Sequence, residues 1–159
     1  VTTAYIALGS NLGDSEAHLE QAADALNQLP DTRVTATSRL FRTPPWGPIA
    51  QPPFLNAVVA VETGLSPHAL LASMLGIERA AGRIRDQRWG PRTLDLDLLH
   101  MEGVSLHDEV LTLPHPRIAE RAFVLLPLND VAPNLVIPGQ GVVADLLAVA
   151  DQAGCEVIP

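Results

Sequence analysis

The sequence contains no lysine; all ten of its basic side chains are arginine. That excludes a phosphate-loop lysine, a Schiff-base lysine and the strand lysine of protein kinases. Phosphate chemistry on this chain has to run on arginine, metal and backbone amides. A single cysteine, Cys155, excludes an internal disulfide and a thiolate metal site, and fits a reducing, cytoplasmic setting. The five histidines are scattered with no H-x-x-x-H pair, so zinc finds no ligand set. Neither a G-x-S-x-G elbow nor a G-x-G-x-x-G fingerprint occurs, which leaves nucleophilic and dinucleotide chemistry without support. No apolar run approaches the roughly 20 residues that span a bilayer. Residues Val1–Tyr5 carry no basic n-region, so no secretory signal is expected. A net charge of −8 argues against non-specific binding to nucleic acid or anionic membrane.

What is present is concentrated between Arg83 and Asp97. Four of the ten basic residues, Arg83, Arg85, Arg88 and Arg92, run into Asp95-Leu96-Asp97. On a strand, Asp95 and Asp97 point to one face. Two neighbouring carboxylates repel unless a cation lies between them, and hard oxygen ligands suit Mg²⁺. The arginines upstream can grip an anion bidentately. A metal-bridged phosphate site is the expectation; a solvated D-x-D face is the plainer alternative.

Around this stretch, 159 residues with 47% hydrophobic content predict one domain, residues 1–159, with a sizeable core. Periodicity predicts a strand over 3–8, a helix to about Leu29, a strand from Val34 to Phe41 and a strand from Phe54 to Glu62. A helix from Pro67 to about Ala81 and a strand from about Leu94 to His100 follow. Phe123–Leu126 is apolar and ends at Pro127, Asn129–Pro133 reads as a turn, and a last helix covers Val142–Ala150. Irregular alternation favours an α+β sandwich with a mixed or antiparallel sheet. Between Thr43 and Pro53, five of eleven residues are proline, which predicts a long loop. Trp46 in it either covers a planar ligand or tacks the loop to the body. Asn56, a lone amide on an apolar strand, is either satisfied by backbone or faces a ligand. Glu78 either pairs with Arg83 or meets a ligand. His115 is held between two prolines.

Together these segments resemble the 6-hydroxymethyl-7,8-dihydropterin pyrophosphokinases of folate biosynthesis. The match rests on Arg88–Leu99, on Tyr5–Gly13, on Arg42–Pro45 with Phe54–Ala57, on Leu113–His115 and on Arg121–Phe123. The chain departs from the family pattern at Val110 and Pro116, and is one residue shorter after Arg85. The resemblance implies an α+β sandwich with a ferredoxin-like core and transfer of the pyrophosphate of ATP to the pterin hydroxymethyl group, releasing AMP. It implies two Mg²⁺ ions on Asp95 and Asp97, with Arg83, Arg92 and Asp97 catalytic. Glu78, Arg83, Arg85, Trp89, Arg92, Leu98, Thr112 and His115 match positions around ATP. Thr43, Pro45, Phe54, Asn56, Arg121 and Phe123 match positions around the pterin, with Phe54 and Phe123 flanking its ring. Small-molecule substrates, no nucleic acid, no membrane and a monomer are the partner expectations.

Overall fold

Strand β4 (Phe54–Thr63) carries the sheet, pairing with β1 (Thr2–Ser10) along one edge and with β2 (Thr32–Thr37) and β3 (Phe41–Thr43) along the other. The computed structural model describes residues 1–45, 47–82 and 93–159. Strand β5 (Asp95–Met101) lies on the far side of β1, and β10 (Glu156–Val157) closes the opposite edge against β3. Every pairing in this six-stranded sheet is antiparallel. Helix α1 (Ser15–Asn27) separates β1 from β2, and α2 (Pro67–Ala80) separates β4 from β5. The order β5-β1-β4-β2 with this connectivity is the ferredoxin-like arrangement the sequence led us to expect.

Both faces of the sheet are covered, which explains why β1 and β4 read as nearly continuous apolar runs. On one face Ile6, Leu8, Val59 and Val61 pack with Leu19 and Leu26 of α1 and Leu70 and Met74 of α2. On the other, Tyr5, Val58 and Leu99 pack under α3 (Ala122–Val131) and α4 (Val143–Val149). The two covering helices begin as their sequences dictate. The Asp14 carboxylate accepts from the Ala17 amide at 3.2 Å, and the Ser66 hydroxyl accepts from the Ala69 amide at 3.3 Å, ahead of Pro67. Gly82 follows α2 at φ +83°, the left-handed stop that glycine permits. Two small hairpins, β6 (Leu106–His107) with β7 (Thr112–Leu113) and β8 (Val136–Ile137) with β9 (Gly141–Val142), complete the described elements.

Two expectations are corrected. The run from Val34 to Phe41 is not one strand. Its register shifts between Val34 and Ala36, so Val34 packs on the α1 side and Ala36 on the α3 side. The chain then turns at Ser38, whose hydroxyl accepts from the Val58 amide at 2.8 Å, before β3 begins. Pro127 and the following Asn129–Val131 do not end the apolar segment either: α3 runs through them to Val131. Proline costs helix stability by removing a donor. Burial of Val124, Leu125, Pro127 and Leu128 against the sheet outweighs that local penalty.

Candidate active site

The cross-strand register brings the predicted residues into rows on the α3 face. Asn56 of β4 stands opposite Gly9 of β1, and Gly9 stands opposite Asp95 of β5. In the next row Val58, Ala7 and Asp97 line up in the same way. Asp95 and Asp97 therefore share one face, as the D-x-D spacing required, while Leu96 between them is buried on the other side. Two strand spacings separate the Asn56 and Asp95 positions, about 10 Å.

Asn56 is buried, and its amide donates to the hydroxyl of Thr43, itself 1% exposed. Two of the side chains that the resemblance sets around the pterin thus hold each other. Phe41 lies opposite Asn56 on the remaining side, and Phe54 is the partner of Thr43 across β3 and β4. Pro45 is half-buried just beyond. The segment entering the proline-rich loop is fastened from the other side. The Asn11 amide donates to the Gln51 side chain at 2.8 Å and to the Pro52 carbonyl at 3.0 Å. The sequence reading placed Asn11 within the Tyr5–Gly13 segment that carries the resemblance but gave it no role; it is buried at the strand end.

Arg121 caps the start of α3 and lies across the ring of Phe123, 5.7 Å from its centroid. Burial pulls the guanidinium below its ordinary pKa, while the Asp97 and Asp95 carboxylates act in the opposite sense. Arginine, helix start and carboxylate pair therefore form one electrostatic unit. His115 sits beside the end of β5: its backbone amide donates to the Leu99 carbonyl at 2.7 Å, and its own carbonyl accepts from the Gln140 amide at 2.8 Å. The Arg117 amide donates to His115 Nδ1 at 3.1 Å, which fixes the ring proton on Nε2. Burial, with Arg121 and Arg117 nearby, lowers the His115 pKa to about 4, so the ring is neutral at physiological pH.

Glu78 is 2% exposed at the end of α2, and one of its carboxylate oxygens accepts from the Leu96 amide at 2.8 Å. This anchors the outer edge of β5, a role the sequence reading did not foresee. The Leu98 side chain is buried between sheet and helices, so strand alternation leaves its backbone groups on the same outer edge as the Leu96 amide. The Thr112 hydroxyl is bonded to the His107 ring at 3.0 Å. Arg83, Arg85, Trp89 and Arg92, with Trp46, lie outside the described residues.

The donor set suits Mg²⁺. Among the described residues no cluster of three or more His, Cys, Asp or Glu is present, so no all-protein cage competes. Mg²⁺ is ordinarily held by one or two carboxylates, with water and substrate phosphates filling the remaining positions. No helix among the described residues is long and apolar enough to cross a membrane.

Residues 5–133 match the family model described as 7,8-dihydro-6-hydroxymethylpterin-pyrophosphokinase (HPPK). The 2-amino-4-hydroxy-6-hydroxymethyldihydropteridine pyrophosphokinase of Methylorubrum extorquens is 51% identical over 98% of this chain and 98% of its own length. That of Pseudomonas aeruginosa is 45% identical over 98% and 96%. Among solved structures, the wild-type Plasmodium falciparum HPPK-DHPS with pteroate superposes with a TM-score of 0.73 at 15% identity, over 92% of this chain. This chain spans 44% of that longer protein, and the likeness concerns the fold. With the model match covering most of its length, the chain belongs to the 7,8-dihydro-6-hydroxymethylpterin-pyrophosphokinase family.

Proposed function

We propose that the α3 face of the sheet is where this chain carries out its family's reaction, with the acceptor lying between Asn56 and the Asp95–Asp97 pair. The reaction is transfer of the pyrophosphate of ATP to the hydroxymethyl group of 6-hydroxymethyl-7,8-dihydropterin, a step of folate biosynthesis, with AMP as the other product. The observation that carries the assignment is the shared row: a buried amide at one end and Asp95 at the other, with Asp97 in the adjacent row and Arg121 acting on both carboxylates.

Phosphoryl transfer asks a protein for positioning and for stabilisation of spreading charge. Asn56, held by Thr43, reads the polar edge of the pterin, and Phe54 and Phe123 flank its ring. Asp95 and Asp97 would hold Mg²⁺, two ions in our reading, which would supply positive charge to offset what develops on the phosphates. Arg121 screens the carboxylate pair and offers donors to an anionic group. His115 donates through Nε2 as a neutral ring, and the outer edge of β5 at Leu98 offers backbone groups to the nucleotide base. Glu78 supports that edge. By resemblance, Arg83, Arg85, Trp89 and Arg92 complete the nucleotide side, with Arg83 and Arg92 acting on the transferring group, and Thr112 and Pro45 border the two substrates. We further propose a single working domain over 1–159, acting as a cytoplasmic monomer.

Conversion of ATP to AMP, followed with and without the pterin and Mg²⁺, tests the assignment. Wild type should release AMP only with both present. Asp97→Ala should lose on the order of 10²–10³ in kcat, the scale of removing one electrostatic contact to a transition state. AMP release unchanged in Asp95→Ala and Asp97→Ala would overturn it.

A further inference from the structure

We infer that Gly9 is a specificity-determining position: its missing side chain keeps the Asn56 amide aimed and leaves the floor between Asn56 and Asp95 open to a flat ring. The inference rests on Asn56 reading the acceptor, as argued above. Gly9 is not among the glycines at positive φ, so the extended backbone of β1 would accept any residue there. The requirement for glycine is therefore steric. A Cβ at this position would stand 2.9 Å from Asn56 Oδ1, and 3.8 Å from both the Leu55 carbonyl oxygen and Phe54 Cδ1. The first distance is shorter than carbon and oxygen tolerate without a shift.

Asn56 has little room to yield. Its Nδ2 donates to Thr43 Oγ1, Thr43 is 1% exposed, and Phe41 opposite Asn56 is 3% exposed. An added methyl would rotate the carboxamide away from Gly9 and break that hydrogen bond, while the Phe54 ring at 3.8 Å stays in ordinary contact. That rotation disturbs acceptor recognition. The register adds a second effect. Gly9 is the middle residue of the Asn56–Gly9–Asp95 row, so any side chain there would project into the space between the amide and the carboxylates. A planar heterocycle bridging the two ends needs that floor bare. The three atoms nearest the added carbon belong to Asn56, Leu55 and Phe54, so the strain falls first on the acceptor end.

The test is a double-mutant cycle on the full chain. Kinetics are measured for wild type, Gly9→Ala, Asn56→Ala and the double variant. Affinity for a non-hydrolysable ATP analogue with Mg²⁺ is measured by calorimetry as a check on the fold. Gly9→Ala should raise KM for the pterin at least tenfold while ATP-analogue affinity stays within about twofold. In the Asn56→Ala background, where no amide is left to displace, the same change should cost several-fold less, the remainder being the obstructed floor. Pterin KM unchanged in Gly9→Ala, equal losses in both substrates, or full additivity with Asn56→Ala would each overturn the inference. Asn56→Ala with wild-type pterin KM would instead sink the reading of Asn56 on which it stands.

Discussion

The His115 ring carries a consequence that can be checked without substrate. Its pKa falls from 6.5 to about 4, first through burial and then through Arg121 and Arg117. Between those values the unfolded chain holds more protons on this residue than the folded one does. Stability therefore rises with pH across that window, and it is lost as pH falls from about 6.5 to about 4. His100, also lowered by burial, acts in the same direction. Asp108 and Asp130 are held below the ordinary 3.8, so their contribution is lost only at more acidic pH. Thermal melts should show Tm dropping through the histidine window, and His115→Gln should flatten the drop. Equal slopes in the two proteins would show that His115 does not carry it. At this scale the sequence singled out His115 by its place between two prolines. The partner that sets its tautomer, the Arg117 backbone, had no signature.

Among elements, β5 depends on α2 more than its own sequence implies. It is an edge strand, and the Glu78 carboxylate supplies an acceptor for its outward Leu96 amide. Glu78→Ala leaves that buried donor unsatisfied and should destabilise by about 1–3 kcal/mol. Chemical denaturation should show a lower midpoint at unchanged slope. Glu78→Gln retains an acceptor and should recover much of the loss; no recovery would count against the hydrogen bond as the cause. The elements themselves were largely legible. Both long helices, their caps and the strands β1, β4 and β5 followed from periodicity and from Asp14, Ser66 and Pro67. The failures have physical causes. The bulge between Val34 and Ala36 is set by pairing with β4, and alternation within one strand carries no trace of its partner's register. Helix α3 survives Pro127 because five of its residues are buried, a tertiary gain that local propensity does not register. The Asn11 link to Gln51 and Pro52 joins residues 40 and 41 positions apart, beyond the reach of any local pattern.

For the whole molecule, the proposed assignment sets the two substrate ends on different strands of one sheet, so binding at either should stabilise the same cooperative unit. A Mg²⁺-loaded ATP analogue at about 100 times its dissociation constant should add about 2.7 kcal/mol. A rise in Tm on adding the analogue, and a further rise on adding the pterin, are the expected melts. Asp95→Ala should lose the first rise. Fold class was accessible from the sequence because α+β alternation and apolar strands constrain few topologies. The placement of Asn56 and Asp95 in one lateral row was not, since it depends on β1 lying between two strands distant in sequence.

The outermost rung of the sheet also props its neighbour. Glu156 and Val157 pair with Arg42 and Phe41, and the Ile158 amide donates to the Leu40 carbonyl at 2.8 Å. The Arg42–Glu156 ion pair joins residues 114 positions apart. Gly154, with φ +79°, would press a Cβ to 3.3 Å from Pro44, at the mouth of the proline-rich loop. These contacts bear on β3 and the mouth of the proline-rich loop, and leave the β1–β4–β5 rows untouched. The outer rung therefore acts as a buttress: loosening it should disturb Phe41 and Thr43 while Asp95 and Asp97 keep their register.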